Sequence, residues 1–228
     1  MAQYIEKVFR SRQTLLDVLH ERGYDTAGVE KYGPEEIREA LAATPNGKAL
    51  EFTVKGREGF TVPTPTVRVY IFLQRLKQKL PGFLSSLETP IGSSSEGARQ
   101  PDKLGSPVDP AHTSVICLIN EPVVPVFHAA SIGVWNKRNL RLSFFYMDSF
   151  QMNPLKHYLV PPHEIVPKEQ HEALMKSLYI TQKAQFPLVR YHEDPITRVI
   201  GATPGDILKI TRPSPSAGEY VVYRVCVP

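Results

Sequence analysis

Residues 191–227, YHEDPITRVIGATPGDILKITRPSPSAGEYVVYRVCV, constrain this chain most, because nearly every position has a local conformational cause. Asp194 precedes Pro195. Its carboxylate can accept from the free N–H groups of a first helical turn, and proline lacks an N–H where none is needed. Ile196, Val199 and Ile200 fall on one side of a short helix that Gly201 ends. Thr203-Pro204-Gly205-Asp206 has turn chemistry: proline presets φ and glycine permits a positive one. Residues 207–211 predict a strand, with Ile207 and Lys209 opposite Leu208 and Ile210. Ser216-Ala217-Gly218 predicts a bend. Residues 220–227, with Tyr220, Val221, Val222, Tyr223 and Val225, predict an antiparallel return. Arg198, Lys209, Arg212 and Arg224 are spread over the helix and both strands. Compaction is expected to gather several of them into a rim that pairs with carboxylates or carbonyls of a partner protein. The plainer alternative is a solvated polar face.

The rest of the chain sets bounds on function. Its 228 residues allow one large domain or two modest ones, and 42% hydrophobic content suffices for a core. A net charge of +4 permits contact with nucleic acid but is far weaker than a free-standing basic arm. Cys117 and Cys226 each lie in an apolar run outside any C-x-x-C pair, which argues against zinc or a disulfide scaffold and for a reducing compartment. No apolar run reaches the roughly 18 residues of a membrane span. The start, MAQYIEKVFRSR, has mixed charge and no signal-peptide core, so an intracellular protein is expected. There is no G-x-S-x-G, H-E-x-x-H or P-loop, and His157 and His163 have no Cys or acidic partner at ligand spacing. No cofactor and no metal are expected. One enzymatic alternative is a metal-dependent nuclease, for which Glu51, Glu58 and Lys55 are the nearest candidates.

Upstream, residues 3–20 predict an amphipathic helix through Ile5, Val8, Phe9, Leu15, Leu16 and Leu19, with Gly23 beyond its end. Pro34, Glu35 and Glu36 predict the start of a second helix, which 44–47 ends. Residues 49–54 and 66–72 predict strands, and 73–80 a short basic helix closed by Pro81-Gly82. Residues 85–112 are rich in Ser, Gly and Pro without periodicity and predict a flexible insertion. Strands are expected at 114–119, 140–146 and 155–160, helices at 127–136 and 167–178, and an extended segment at 186–190.

One pattern ties these pieces together. It runs His157-x-Leu159-Val160-Pro161-x-His163, then Phe186-Pro187, then Asp194-Pro195-x-x-Arg198-x-x-Gly201. It continues Gly205-Asp206-x-x-Lys209-Ile210-x-Arg212-x-Ser214-x-Ser216-Ala217-Gly218-x-Tyr220-x-x-Tyr223-Arg224. This resembles the family of the fifth subunit of eukaryotic multisubunit DNA-directed RNA polymerase and its archaeal counterpart. Phe186 stands where that family usually has Leu, and Ser216 where it usually has Thr. Upstream, Glu21-Arg22-Gly23-Tyr24-Asp25, the strand and basic segment 67–80, and the strand and Pro-containing loop 114–125 are similar to the jaw of the eukaryotic members. The insertion 85–112 departs from it.

The resemblance implies an α+β protein of two domains. Residues 1–150 would form a jaw with a small mixed sheet and helices, and residues 151–228 a compact assembly domain. It implies a non-catalytic subunit that docks on the largest polymerase subunit and places the jaw near downstream duplex DNA. The docking residues would be Pro187, Asp194, Pro195, Arg198, Gly201, Gly205, Lys209, Arg212, Gly218, Tyr220, Tyr223 and Arg224. Those near DNA would be Arg10, Arg12, Arg75, Lys77, Lys79, Pro122 and Pro125, meeting phosphates rather than bases. The expected place is the nucleus, including the nucleolus, or a viral transcription machinery. A free-standing nucleic-acid-binding accessory protein is the alternative, with no membrane or small-molecule partner in either case.

Overall fold

The structure, a computed structural model, describes residues 2–29, 32–44, 46–60, 62–88, 108–109 and 112–228. The fold is α+β, in two compact units, Met1–Met152 and Asn153–Pro228.

In the first unit the strand Thr113–Ile119 carries no polar face, and all seven of its residues are buried. Such a strand must be covered on both sides. It is β4 of a five-stranded mixed sheet ordered β1-β2-β3-β4-β5, with β1 Tyr24–Asp25, β2 Phe52–Gly56, β3 Thr66–Phe72 and β5 Leu142–Tyr146. β1, β2 and β3 pair antiparallel, while β3–β4 and β4–β5 pair parallel. Parallel neighbours require crossovers. Helix α3, Leu80–Glu88, lies between β3 and β4 in sequence, and α4, Pro125–Arg138, between β4 and β5. Val115, Cys117 and Ile119 of β4 join Leu80, Leu87, Phe127, Val134 and Phe144 in one core. Ile116 and Leu118 point to the opposite face and are equally buried. Helices α1, Ala2–Glu21, and α2, Pro34–Ala43, pack on each other, burying Val8, Leu15, Leu19 and Ile37. Gly23 takes φ +89° after α1, where its N–H donates to His20 O at 3.0 Å.

Two expected elements are corrected here. Residues 73–80 are not a helix; the helix begins at Leu80. Pro81 and Gly82 open it instead of closing it, because a proline in the first turn gives up no intrahelical bond. Phe83 N–H donates to Lys79 O at 3.0 Å to close that turn. The expected insertion 85–112 is helical at its start, through Glu88, and Val108 near its end packs into the core. Residues 89–107, 110 and 111 lie outside the described residues.

The second unit holds a four-stranded sheet ordered β6-β8-β9-β7. Its strands are β6 His163–Ile165, β7 Leu188–Arg190, β8 Ile207–Ser214 and β9 Gly218–Val227. β8 and β9 form a hairpin in register from Ile207↔Val225 to Ser214↔Gly218. One face carries Ile207, Tyr223 and Val225, which pack with Val166, Phe186, Leu174 and Met175 beside α5, His171–Ser177. On the other face Leu208, Ile210 and Cys226 are buried, and α6, Pro195–Ile200, lies against β6.

Here too one expectation fails. Residues 155–160 are not a strand but a 3-10 turn, Pro154–Lys156, followed by a loop. The Asn153 side chain accepts from Leu155 N–H at 3.0 Å and caps that turn. Tyr158 and Leu159 are 88% and 69% exposed, so their apolar character does not reflect a core position.

Candidate functional site

Turns anchor the C-terminal unit. Asp194 Oδ2 accepts from Thr197 N–H at 2.7 Å and from the Thr197 hydroxyl at 2.6 Å. Pro195 follows at the first helical position, and Gly201, at φ +85°, ends the helix as only glycine does without strain. Asp206 repeats the arrangement: its Oδ2 accepts from Thr203 N–H and the Thr203 hydroxyl, both at 2.8 Å. The same turn is sewn to β9, because Gly205 N–H donates to Cys226 O and Cys226 N–H to Asp206 O, each at 2.8 Å. Lys183 Nζ donates to Gly205 O at 2.8 Å and reaches His171 Nδ1 at 3.0 Å, while His171 Nε2 bonds Val166 O at 3.0 Å. Pro187 O accepts from Val225 N–H at 2.9 Å, which starts the β7–β9 pairing. Gly218, with φ +75°, sits at the hairpin tip opposite Ser214.

The expected basic rim does not form one surface. Side chains alternate along a strand, so Lys209 faces opposite to Arg212 and Arg224. It pairs with Glu164, the residue opposite it in register, at 3.2 Å. Arg198 turns its Nε into the protein, where that atom is enclosed. Arg224 Nη1 donates to Leu188 O at 3.3 Å. Arg212 stands exposed beside Tyr220, its register partner. Tyr220 is 60% exposed, whereas Tyr223 leans on the core of the opposite face.

Apart from Tyr220, named above for docking, and Leu159, which the family pattern carries, the exposed apolar residues of this unit were not singled out by pattern. Among the described residues, Tyr158, Leu159, Leu178, Tyr179, Leu188, Tyr220 and Val221 of the second unit are exposed, against Phe60, Val126 and Met152 of the larger first unit. The flanking prolines, Pro154 and then Pro161-Pro162, were the signal that 155–160 could not continue a ladder.

In the first unit, five of the residues expected near DNA come together at the C-terminal ends of β3 and β4. Asn120 N–H donates to Phe72 O at 3.1 Å, and Lys77 N–H to Glu121 Oε1 at 2.9 Å. These bonds bring the segment holding Arg75, Lys77 and Lys79 beside the loop that holds Pro122 and ends at Pro125. All five side chains are exposed. Arg10 lies apart on α1, paired with Glu6 at 2.7 Å. Arg12 is not a surface cation at all. It is 3% exposed, its guanidinium stacks 5.0 Å and 5.1 Å from the Tyr32 and Phe52 rings, and its Nε reaches Leu50 O at 3.5 Å.

The nuclease candidates do not converge. Glu51 precedes β2 and Glu58 follows it, so the strand holds them roughly 20 Å apart. Glu51 lines a cavity of about 150 Å³ with Lys48, Arg75 and Lys79. Burial pushes its carboxyl up to about 7, although an Ile71 backbone hydrogen bond and Lys48 pull it down. Burial also raises the Cys117 thiol, which suits an inert core cysteine.

Residues 152–226 match the family described as RNA polymerase Rpb5, C-terminal domain. DNA-directed RNA polymerase subunit Rpo5 of Archaeoglobus fulgidus is 54% identical over 71 residues, 31% of this chain and 91% of that protein. The Pyrococcus horikoshii Rpo5 is 47% identical over 77 residues, 34% of this chain and 92% of that protein. The DNA-directed RNA polymerases I, II, and III subunit rpabc1 of Dictyostelium discoideum is 25% identical over 223 residues, 98% of each chain. About a third of this chain thus covers the archaeal proteins almost whole, and the Dictyostelium protein is matched nearly end to end.

The cap and the buried carboxyl each lend themselves to measurement. Asp194→Ala removes the cap of α6 and should cost about 1 kcal/mol in urea unfolding, while Asp194→Asn retains most of that. Glu51 binds a proton more tightly folded than unfolded. Its contribution is therefore full below an ordinary carboxyl value of 4.5 and is lost as pH rises through about 7. Melting temperatures of wild type minus Glu51→Gln should fall between pH 5 and pH 8. With its C-terminal unit matched by the family model and 54% identical to an archaeal Rpo5 that it covers to 91%, the chain belongs to the Rpb5 and Rpo5 family.

Proposed function

We infer that this chain is a non-catalytic structural subunit of a multisubunit DNA-directed RNA polymerase. The observation that carries the reading is the near-complete match of about a third of the chain to archaeal polymerase subunits, joined to the end-to-end match with a eukaryotic one. The second unit is the assembly domain and docks on the largest subunit. Its capped turns preorganise the surface, which lowers the ordering cost of binding. Its exposed Tyr158, Leu159, Tyr179, Leu188 and Tyr220 supply the apolar contacts that a lone soluble domain has no use for. The first unit is the jaw. Arg75, Lys77 and Lys79, beside Pro122 and Pro125, form a short basic edge suited to duplex phosphates ahead of the active cleft. The chain works in the nucleus, where such polymerases transcribe.

Affinity purification tests the docking. The tagged chain should recover the largest polymerase subunits, and Arg212→Glu should lower their yield after a high-salt wash without changing the chain's melting temperature. Purification of wild type without those subunits would overturn the reading. The jaw is tested in assembled polymerase: replacing Arg75, Lys77 and Lys79 by Ala should weaken downstream-duplex binding at low salt. It should also flatten the salt dependence by up to about 2.7 in the log–log slope. An unchanged slope removes DNA from the role of this edge.

A further inference from the structure

The two long edges of the β8–β9 hairpin are treated differently by the sequence. On β8 the outward backbone groups are those of the odd-numbered residues: Ile207 O accepts from Val166 N–H at 2.9 Å, and Thr211 N–H donates to Pro162 O at 3.1 Å. The next outward position is Pro213, which has no N–H to offer. β6 and a proline therefore close that edge, the usual protection against stray strand pairing. On β9 the outward residues are also odd-numbered, since Val225 N–H donates to Pro187 O at 2.9 Å and Val227 O accepts from Tyr191 N–H at 3.1 Å. Continuing the alternation puts the N–H and C=O of Tyr223 and Val221 outward too. β7 pairs only with Val225, Cys226 and Val227. Pro187, immediately before β7, ends the ladder there. Glu219 N–H folds back to Ala217 O at 2.9 Å, which ends the edge at the hairpin tip. Between these stops lies an open stretch with a β-branched and an aromatic residue and no proline or lysine.

We propose that this open edge of β9, at Val221 and Tyr223, receives an extended segment of the polymerase subunit on which the chain docks, added as a fifth strand. The proposal rests on the docking reading above and specifies how that docking is made. The open edge, roughly 16 Å long at strand rise and about 4.8 Å wide at strand spacing, offers on the order of 100 Å², far short of the roughly 800 Å² per partner that a stable interface needs. It cannot hold a second copy of this chain by itself. It suits a strand whose parent protein is also held by the exposed apolar residues of the same unit. Charge narrows the chemistry. A strand added here would have alternate side chains beside Tyr220, Val222 and Arg224, on the face where Arg212 stands exposed. Those positions favour a carboxylate, and the intervening ones, beside Val221, favour a β-branched residue.

Amide hydrogen exchange on the free chain and on the assembled polymerase is the test, read at Val221 and Tyr223. Strand addition slows both amides at least about tenfold on assembly, because each gains a backbone acceptor. In parallel, Val221→Pro removes one outward N–H while leaving the bonds to β8, and should lower subunit retention about tenfold. Wild type that co-purifies with polymerase, with both amides exchanging as fast as in the free chain, overturns strand addition and leaves docking standing. Wild type that fails to co-purify overturns both. A dimeric free chain that Val221→Pro makes monomeric assigns the edge to a second copy and also overturns the proposal. If Val221→Pro does not fold, the exchange comparison alone decides.

Discussion

The second unit depends on one ladder. β8 and β9 pair over eight residues, and every other strand of the unit leans on that pairing. β6 adds to one side over three residues and β7 to the other over three. The ladder is made possible by its two ends. At the tip, Gly218 accepts a positive φ where the chain reverses. At the base, Asp206 closes the preceding turn with two bonds from Thr203, and that turn is bonded on to Cys226. A hairpin held at both ends has little freedom of register, because a slip by one residue would carry Ile207 off the face it shares with Val166 and Phe186.

The first unit is organised by a different constraint. A strand with seven buried residues has to be central, and two parallel neighbours force long crossovers. Those crossovers place the connections after β3 and β4 at the same end of the sheet. That is why the 73–79 segment and the 120–125 loop meet, through a bond between Lys77 and Glu121, 44 residues apart in sequence. The cations of that edge come from residues 75–79, and topology sets the 120–125 loop beside them.

Much of this was legible from residue type alone. α1, β3, β4, α4 and the Asp194 cap lie where pattern and capping chemistry put them, since each has a local cause strong enough to act without its neighbours. Most of the errors turn on what surrounds a residue in space. At 73–82, a Pro-Gly pair serves equally well to stop a helix or to begin one, and only Leu76 and Leu80 entering the core decide which. At 155–160, apolar residues suggested a buried strand, yet Tyr158 and Leu159 face solvent because that loop has no sheet to join. Arg12 looked like a surface cation until Tyr32 and Phe52 enclosed it. Lys209 was grouped with Arg212 and Arg224, although strand parity already set it on the other face.

By itself, the sequence determined the α+β class, the turns of residues 191–227 and the family pattern they carry. These depend on φ preferences, missing proline N–H groups and carboxylate caps, which act within four or five residues. Tertiary structure alone decided which charges are free, which apolar side chains are exposed and which strand edge is open. Each of these is a statement about what lies beside a residue in space. Arg198 and Arg212 are the same residue type on neighbouring elements, but packing encloses the Nε of one and leaves the other in solvent.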